Sequence, residues 1–304
     1  MSKKIVPVIH TLVFSAAPGG GNPCPVIFNC EQLDSEQMRS ITAHYMAESG
    51  FVIPSEETDC DVRLRYFVPN HEMEMCVHAT MGSIAAQAHK SLIKESKIIV
   101  EAPIGKISTL WEKRENHYEV TVDQFLPHFA TDNPIISEVT DALNMDEKAI
   151  ALEIGPIQSV STSKAKLMVP IKDRRTLDSL NPHFECLWKL CDQYSTTGFY
   201  PFTIETSQEK TIIYARQFPK RAGYNEDAAT GLAACALGAY LVQYEALSAK
   251  VDGLHTFEIH QGYAMGRPSV LHSEVMIKNG EITDVRIKGR AEITGEELLT
   301  ISLE

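Results

Sequence analysis

The chain has 304 residues, 44% hydrophobic and 22% charged, an ordinary globular composition with apolar side chains for two cores rather than one. Its 28 basic residues are outnumbered by 40 acidic ones, giving a net charge of −12, and they are scattered, which argues against nucleic acid as a partner. No apolar run approaches the roughly 20 residues that span a bilayer, and seven cysteines without paired CxxC spacing indicate neither a disulfide framework nor a zinc ribbon, which suits a reducing cytoplasm.

The opening MSKKIVPVIHTLVFSAA imitates a secretion signal, but Pro7, His10 and Thr11 break the apolar stretch and its alternation suits a β-strand. IVPVIHTLVF and CPVIFN read as strands around a glycine-rich turn at 18–23, and PGGGNP lacks the Lys-Ser/Thr of a phosphate-binding loop. Asp34, with Gln37 three residues on, caps a helix through EQMRSITAHYM. FVIP and VRLRYFVP follow as strands, the second with one wet face because apolar and basic residues alternate. The polar NHEMEMCVH then leads into a helix, ATMGSIAAQAHK, rich in small residues. Residues 97–125 read as a β-meander with a turn near Asn116, and 126–134 as a crossing between domains, with the boundary near residue 120.

The second half repeats the plan, with strands at IQSVST, KLMVPI, FYPFTIET and TIIYARQF, a helix at FECLWKLCDQY, and another within GYNEDAATGLAACALGAYLVQYEAL. Residues 79–89 and 229–241 each open a helix with Ala-Thr and an early Gly, a weak internal repeat. Small residues alone are accounted for if both helices sit close inside sheets. That does not account for the polar residue ahead of each.

A helix N-terminus carries free N–H groups and partial positive charge, so two such ends facing a cleft between domains would grip a carboxylate or a developing anion. Thr80 and Thr230 add hydroxyls there; His78 stands beside one end, Glu226 and Asp227 beside the other, and Glu48 precedes the strand at FVIP. Each also has a structural reading, as a cap or a satisfied core histidine. Cys76, near a helix start, is either a base or a small buried hydrophobe. If NHEMEMCVH is extended, Glu72, Glu74, Cys76 and His78 share one face and form a zinc-type set, although no second Cys/His cluster supports a metal.

In order along the chain, GGNPCPVIF, EQM, ESGFVIP, DVRLRYFVP, CVHATMG, STSKAKLMVPI, NEDAATG, QGYAMGRPS and VRIKGRAEIT resemble the phenazine-biosynthesis PhzF-type proteins, over nearly the whole length. The resemblance implies an α+β fold of diaminopimelate epimerase type: two pseudo-symmetric domains, each a curved antiparallel or mixed sheet or barrel around a central helix. Residues 1–120 with about 290–304 form one domain, and 121–289 the other. It implies a homodimeric, cofactor-independent isomerase acting on a small carboxylate-bearing metabolite, with Glu48 moving a proton between carbons and His78 and Asp227 as its catalytic companions. Asn22, Cys76, Val77, Ala79, Thr80, Glu226, Thr230 and Gly231 would line the substrate, and no metal is implied. Three positions depart from the family pattern: Val77 for the usual Gly, Ala228 for Pro and Leu232 for Ser. They point away from the phenazine precursor toward a different, more apolar small acid, the alternative being a catalytically weakened small-acid binding protein. The two-thiol racemases of this fold carry catalytic cysteines at the positions of Cys76 and near Ala228. Only the first is present here.

Overall fold

The computed structural model describes residues 2–303. The N-terminal segment is strand β1 (Ser2–Val13), followed by β2 (Asn22–Ile27), helix α1 (Ser35–Tyr45), β3 (Ser49–Ile53), β4 (Val62–Phe67), the short β5 (Glu72–Met73) and helix α2 (Val77–His89). The expected meander is β6 (Lys97–Ala102), β7 (Gly105–Lys113) and β8 (Tyr118–Gln124). Asp34 caps α1 as the sequence predicts: its carboxylate accepts from the Gln37 N–H at 2.8 Å, and Gln37 Oε1 accepts from the Asp34 N–H at 3.1 Å. β4 alternates as expected, burying Val62 and Leu64 while Arg63 and Arg65 stay half-exposed.

The segment expected to cross between domains contains a two-residue strand, β9 (His128–Phe129). Then come α3 (Ile136–Leu143), β10 (Gln158–Ser161), β11 (Ala165–Pro170), α4 (Arg174–Ser179), α5 (Phe184–Gln193), β12 (Gly198–Thr206), β13 (Thr211–Ala215), β14 (Phe218–Pro219) and α6 (Gly231–Gln243). Strands β15 (Gly253–Gln261), β16 (Ser269–Lys278) and β17 (Glu281–Leu303) complete the chain.

The chain divides into two compact units, residues 1–15, 22–123 and 288–304, and residues 16–21 and 124–287. In the first, β1 pairs antiparallel with β2, β2 parallel with β3, β3 antiparallel with β4, β4 parallel with β6, and β6 antiparallel with β7. β7 pairs with β8, β8 with β17, and β17 with β1, so the strands close into a ring without free edges. In the second unit β10, β11, β12, β13, β15 and β16 pair in the same alternation: antiparallel, parallel, antiparallel, parallel, antiparallel. The repeat weakly visible in sequence is therefore a repeat of topology, and the fold is α+β.

Each unit wraps its sheet around one helix. Every residue of α2 from Val77 to Gln87 is buried, as are eleven of the thirteen residues of α6. That explains why neither helix is amphipathic in sequence: each is apolar on all sides because sheet covers all sides. Small residues set the approach distance. A Cβ on Gly50 of β3 would stand 2.4 Å from Ser83 Oγ of α2, one on Gly82 of α2 2.4 Å from Thr11 Oγ1 of β1, and one on Gly238 of α6 2.1 Å from Ser273 Oγ of β16. Among the described residues, no helix is long and apolar enough to cross a membrane.

Candidate active site

Helix α1 ends in a left-handed residue, Met46, which turns the chain so that Ala47 and Glu48 lead into β3. The Ser49 hydroxyl donates to the Ala47 carbonyl at 3.0 Å and tightens that turn. Glu48 is thereby brought to the start of α2. The helix begins two residues earlier than the sequence suggests, at Val77, with Cys76 in extended geometry as its cap (φ −142°, ψ 108°). Cysteine is not a preferred capping residue, so the polar run before it gave no sign of a helix start.

The Cys76 thiol donates to Glu48 Oε2 at 3.2 Å, and His78 Nε2 lies 3.4 Å from the same oxygen. The Cys76 sulfur is 3.5 Å from His78 Nδ1. All three donor groups fall within 4.8 Å of one another. Cys76 is almost wholly buried, whereas the Glu48 and His78 side chains keep 18% and 10% of their surface. Burial, then the Glu48 charge, then Cys24 push the Cys76 thiol well above the ordinary thiol range, and the Ala79 N–H opposes them only partly. Cys76 is therefore a neutral thiol, not a thiolate base.

The single face on which an extended segment would have placed Glu72, Glu74, Cys76 and His78 does not form. In NHEMEMCVH the strand β5 covers only Glu72 and Met73, His78 already lies in α2, and Glu72 is drawn onto Arg65, with both carboxylate oxygens accepting at 2.7 Å. Cys76 and His78 instead assemble with Glu48, from a different part of the chain. Thr80 sits inside the helix, fully buried. Its hydroxyl donates to the Cys76 carbonyl at 2.8 Å and also meets the Tyr66 hydroxyl at 2.8 Å. It is thus not a donor at the helix end, and the two Ala-Thr pairs differ in role: Thr80 lies one turn in, while Thr230 caps α6. The first intrahelical bond of α2 is Thr80 N–H to Cys76 O. The N–H groups of Val77, His78 and Ala79 thus have no carbonyl of the helix to bind.

In the second unit Asp227 is fixed by backbone and side chain. Its N–H donates to the Gln217 carbonyl at 3.1 Å, and its carboxylate accepts from the Thr230 hydroxyl at 2.5 Å and the Ala229 N–H at 3.4 Å. Gln261, fully buried at the end of β15, ties this turn together. Its amide donates to the Asp227 carbonyl at 2.8 Å and to Thr230 Oγ1 at 3.1 Å. Its oxygen accepts from the Tyr200 hydroxyl at 2.8 Å and the Thr230 N–H at 3.2 Å. The next residue, Gly262, has φ +79°, and a Cβ there would lie 2.2 Å from the Arg267 carbonyl. The first bond of α6 is Ala234 N–H to Thr230 O, so the N–H groups of Gly231, Leu232 and Ala233 likewise lack a helical carbonyl.

Glu226 is held on both oxygens by Arg216, at 2.8 and 2.7 Å, in a nearly buried pair. The remaining Arg216 nitrogen, Nη1, donates to the carbonyls of Leu177, Asp178 and Leu180 at the end of α4. Asn22 is a buried first residue of β2, and Val77 and Ala79 are buried in the first turn of α2. Gln261, Tyr200 and Arg216 were not singled out in sequence. The only trace of Gln261 was the Gln-Gly step of QGYAMGRPS, where a polar residue ends a strand before a glycine.

A family model described as phenazine biosynthesis-like protein matches residues 12–296. The chain belongs to that family. It is 30% identical over 285 residues to an uncharacterized isomerase of Clostridium acetobutylicum, covering 93% of this chain and 94% of the relative. A solved phenazine biosynthesis protein of the PhzF family from Bacillus anthracis superposes with a TM-score of 0.87 at 25% identity, over 97% of this chain and 99% of that one. A hydroxyproline epimerase from Agrobacterium vitis shares the fold alone, with a TM-score of 0.66 at 10% identity, over 98% of this chain and 93% of that one. The family and its relatives make this chain an enzyme of the isomerase class.

Proposed function

We propose that this isomerase moves a proton within a small carboxylate-bearing metabolite by general acid/base catalysis, without a cofactor, and that Glu48 takes and returns the proton. The observation that carries this reading is the Glu48 carboxylate within 3.2 Å of the Cys76 thiol and 3.4 Å of His78 Nε2, beside the first turn of α2, whose N–H groups have no helical carbonyl to bind. Removing a proton from carbon next to an unsaturated or carbonyl group leaves an enolate-like anion, and such N–H groups stabilise it at no cost in reorganisation. His78 would hold the Glu48 carboxylate in place and shuttle charge. The role of Asp227 as a catalytic companion, and that of the helix starts at Ala79 and Thr230 in binding the substrate's carboxylate, come from the family resemblance.

Because Cys76 is a protonated thiol with no partner cysteine at the start of α6, where Ala228, Ala229 and Thr230 stand, a one-base carboxylate mechanism is favoured over paired thiols. Val77 and Leu232 in place of the usual Gly and Ser favour a more apolar acid than the phenazine precursor. A cytoplasmic location and a homodimer belong to the same reading; seven free cysteines support the first, and light scattering of the purified protein tests the second.

The decisive experiment incubates the protein with pooled small carboxylic acids in deuterated water and scores each by mass. Gain of one deuteron on carbon in one metabolite is expected. A metabolite bound tightly, as judged by thermal stabilisation, yet never labelled would overturn the reading and leave a binding protein.

A further inference from the structure

Three donor atoms of three chemical kinds meet at the start of α2: a carboxylate oxygen, a thiol sulfur and an imidazole nitrogen. Zinc bonds of about 2.3 Å to sulfur and about 2.0–2.1 Å to nitrogen and oxygen put neighbouring donors of a tetrahedral ion about 3.3–3.6 Å apart. Here Glu48 Oε2 is 3.2 Å from Cys76 Sγ and 3.4 Å from His78 Nε2, and the third edge, Sγ to Nε2, is 3.9 Å. The triangle is thus close to one face of a zinc tetrahedron, and a small rotation of the imidazole closes its longest edge.

We propose that Glu48, Cys76 and His78 form a zinc-binding site and that an ion bound there switches the isomerase off. The mixed set of one sulfur, one nitrogen and one oxygen suits a borderline ion such as zinc over the hard magnesium or calcium. Three protein ligands leave a fourth position for water. The 18% and 10% exposure of the Glu48 and His78 side chains gives an ion a way in. On binding, the Cys76 sulfur, the Glu48 oxygen and the unprotonated Nε2 of His78 each donate a lone pair to the metal, and the thiol proton of Cys76 leaves to solvent, so the balance needs no further reactant.

The site differs from the one the sequence suggested. Glu72 is occupied by Arg65, and the carboxylate comes from the turn after α1. Inhibition rests on the reading of Glu48 as the acid/base group, because the lone pair that bonds the metal is the one that would take the substrate's proton. Binding does not rest on it.

Chelator-treated protein titrated with cobalt(II), the spectroscopic stand-in for zinc, should develop a thiolate-to-cobalt charge-transfer band that saturates at one ion per chain. Cys76→Ser should abolish the band, and Glu48→Gln should weaken binding at least tenfold. Cys60→Ser and Cys186→Ser, at thiols that are not fully buried, should leave it intact. Circular dichroism of each variant keeps misfolding apart from ligand loss. No band, or a band that survives Cys76→Ser, overturns the site. Equimolar zinc should stop deuterium exchange in the wild type, and a chelator should restore it; a saturated site with unchanged exchange overturns the switch. A chain that exchanges no metabolite at all fails the proposed function instead, and the cobalt band still decides the metal site.

Discussion

Helices α2 and α6 begin alike and are surrounded differently. Their caps, Cys76 and Thr230, are both extended. Around Cys76 stand an acid, a thiol and an imidazole, three titratable groups in mutual contact. Around Thr230 stands a closed network in which Gln261 uses both donor hydrogens and accepts twice. Two copies of one topology thus differ at their helix starts: the first gathers three titratable groups, and the second fixes an aspartate and a helix end in one geometry. Full satisfaction rigidifies, whereas shared protons invite chemistry.

The comparison breaks most severely at Arg216. Arg216→Met leaves Glu226 charged, nearly buried and unpaired, and strips three α4 carbonyls of their donor, so stability should fall by about 3–5 kcal/mol in urea unfolding. Gln261→Leu keeps shape but removes the partners of the Asp227 carbonyl, the Thr230 N–H and the Tyr200 hydroxyl. A loss of about 2–3 kcal/mol is expected, with substrate binding weakened along with it. An unchanged midpoint would show that water replaces the amide and that the second helix start is less rigid than described.

The thiols sharpen the comparison from the side of the first unit. Burial pushes Cys24 and Cys30, and in the second unit Cys191, from the usual 9.0 up to about 12. The folded chain therefore holds these protons more tightly than the unfolded one. Stability should be full below pH 9 and fall as pH rises from 9 towards 12, by about 1.4 kcal/mol per pH unit for each such thiol. Denaturant midpoints at pH 8 and 10 check the sign. Smallest is Asp34→Ala, which removes the cap of the helix that delivers Glu48 to its place. It should cost about 1 kcal/mol, and turnover should drop little because the Met46 turn stays.

Much of this was legible in the sequence where the signals are local. The Asp34–Gln37 box, the alternation of β4, the meander at 97–125 and the polar turn near Asn116 each rest on residues a few positions apart. The start of α2 was missed because Cys76 is an unorthodox cap, and the Ala-Thr repeat misled by one helical turn because similar residues occupy different places in the two helices. Strand β2 begins at Asn22, inside the expected turn, where Asn22 and Pro23 already face Val13 and Leu12 of β1. Gln261 and Arg216 were silent: their bonds reach across 31 to 61 residues and 10 to 39 residues, respectively, and a buried polar residue carries no periodicity. Glu48 is one candidate carboxylate among several in the sequence, and the family pattern is what singles it out. What the fold adds is its contact with Cys76 and His78.

The most direct test of the central claim is the rate of deuterium incorporation into the labelled metabolite by Glu48→Gln beside the wild type. Glutamine keeps the size of the side chain and a hydrogen-bonding oxygen, but its amide is too weak a base to take a proton from carbon. Exchange should fall at least about a thousandfold while the circular dichroism spectrum and ligand affinity persist. Exchange within about threefold of the wild type, in a folded variant, would contradict the assignment of Glu48 as the proton carrier.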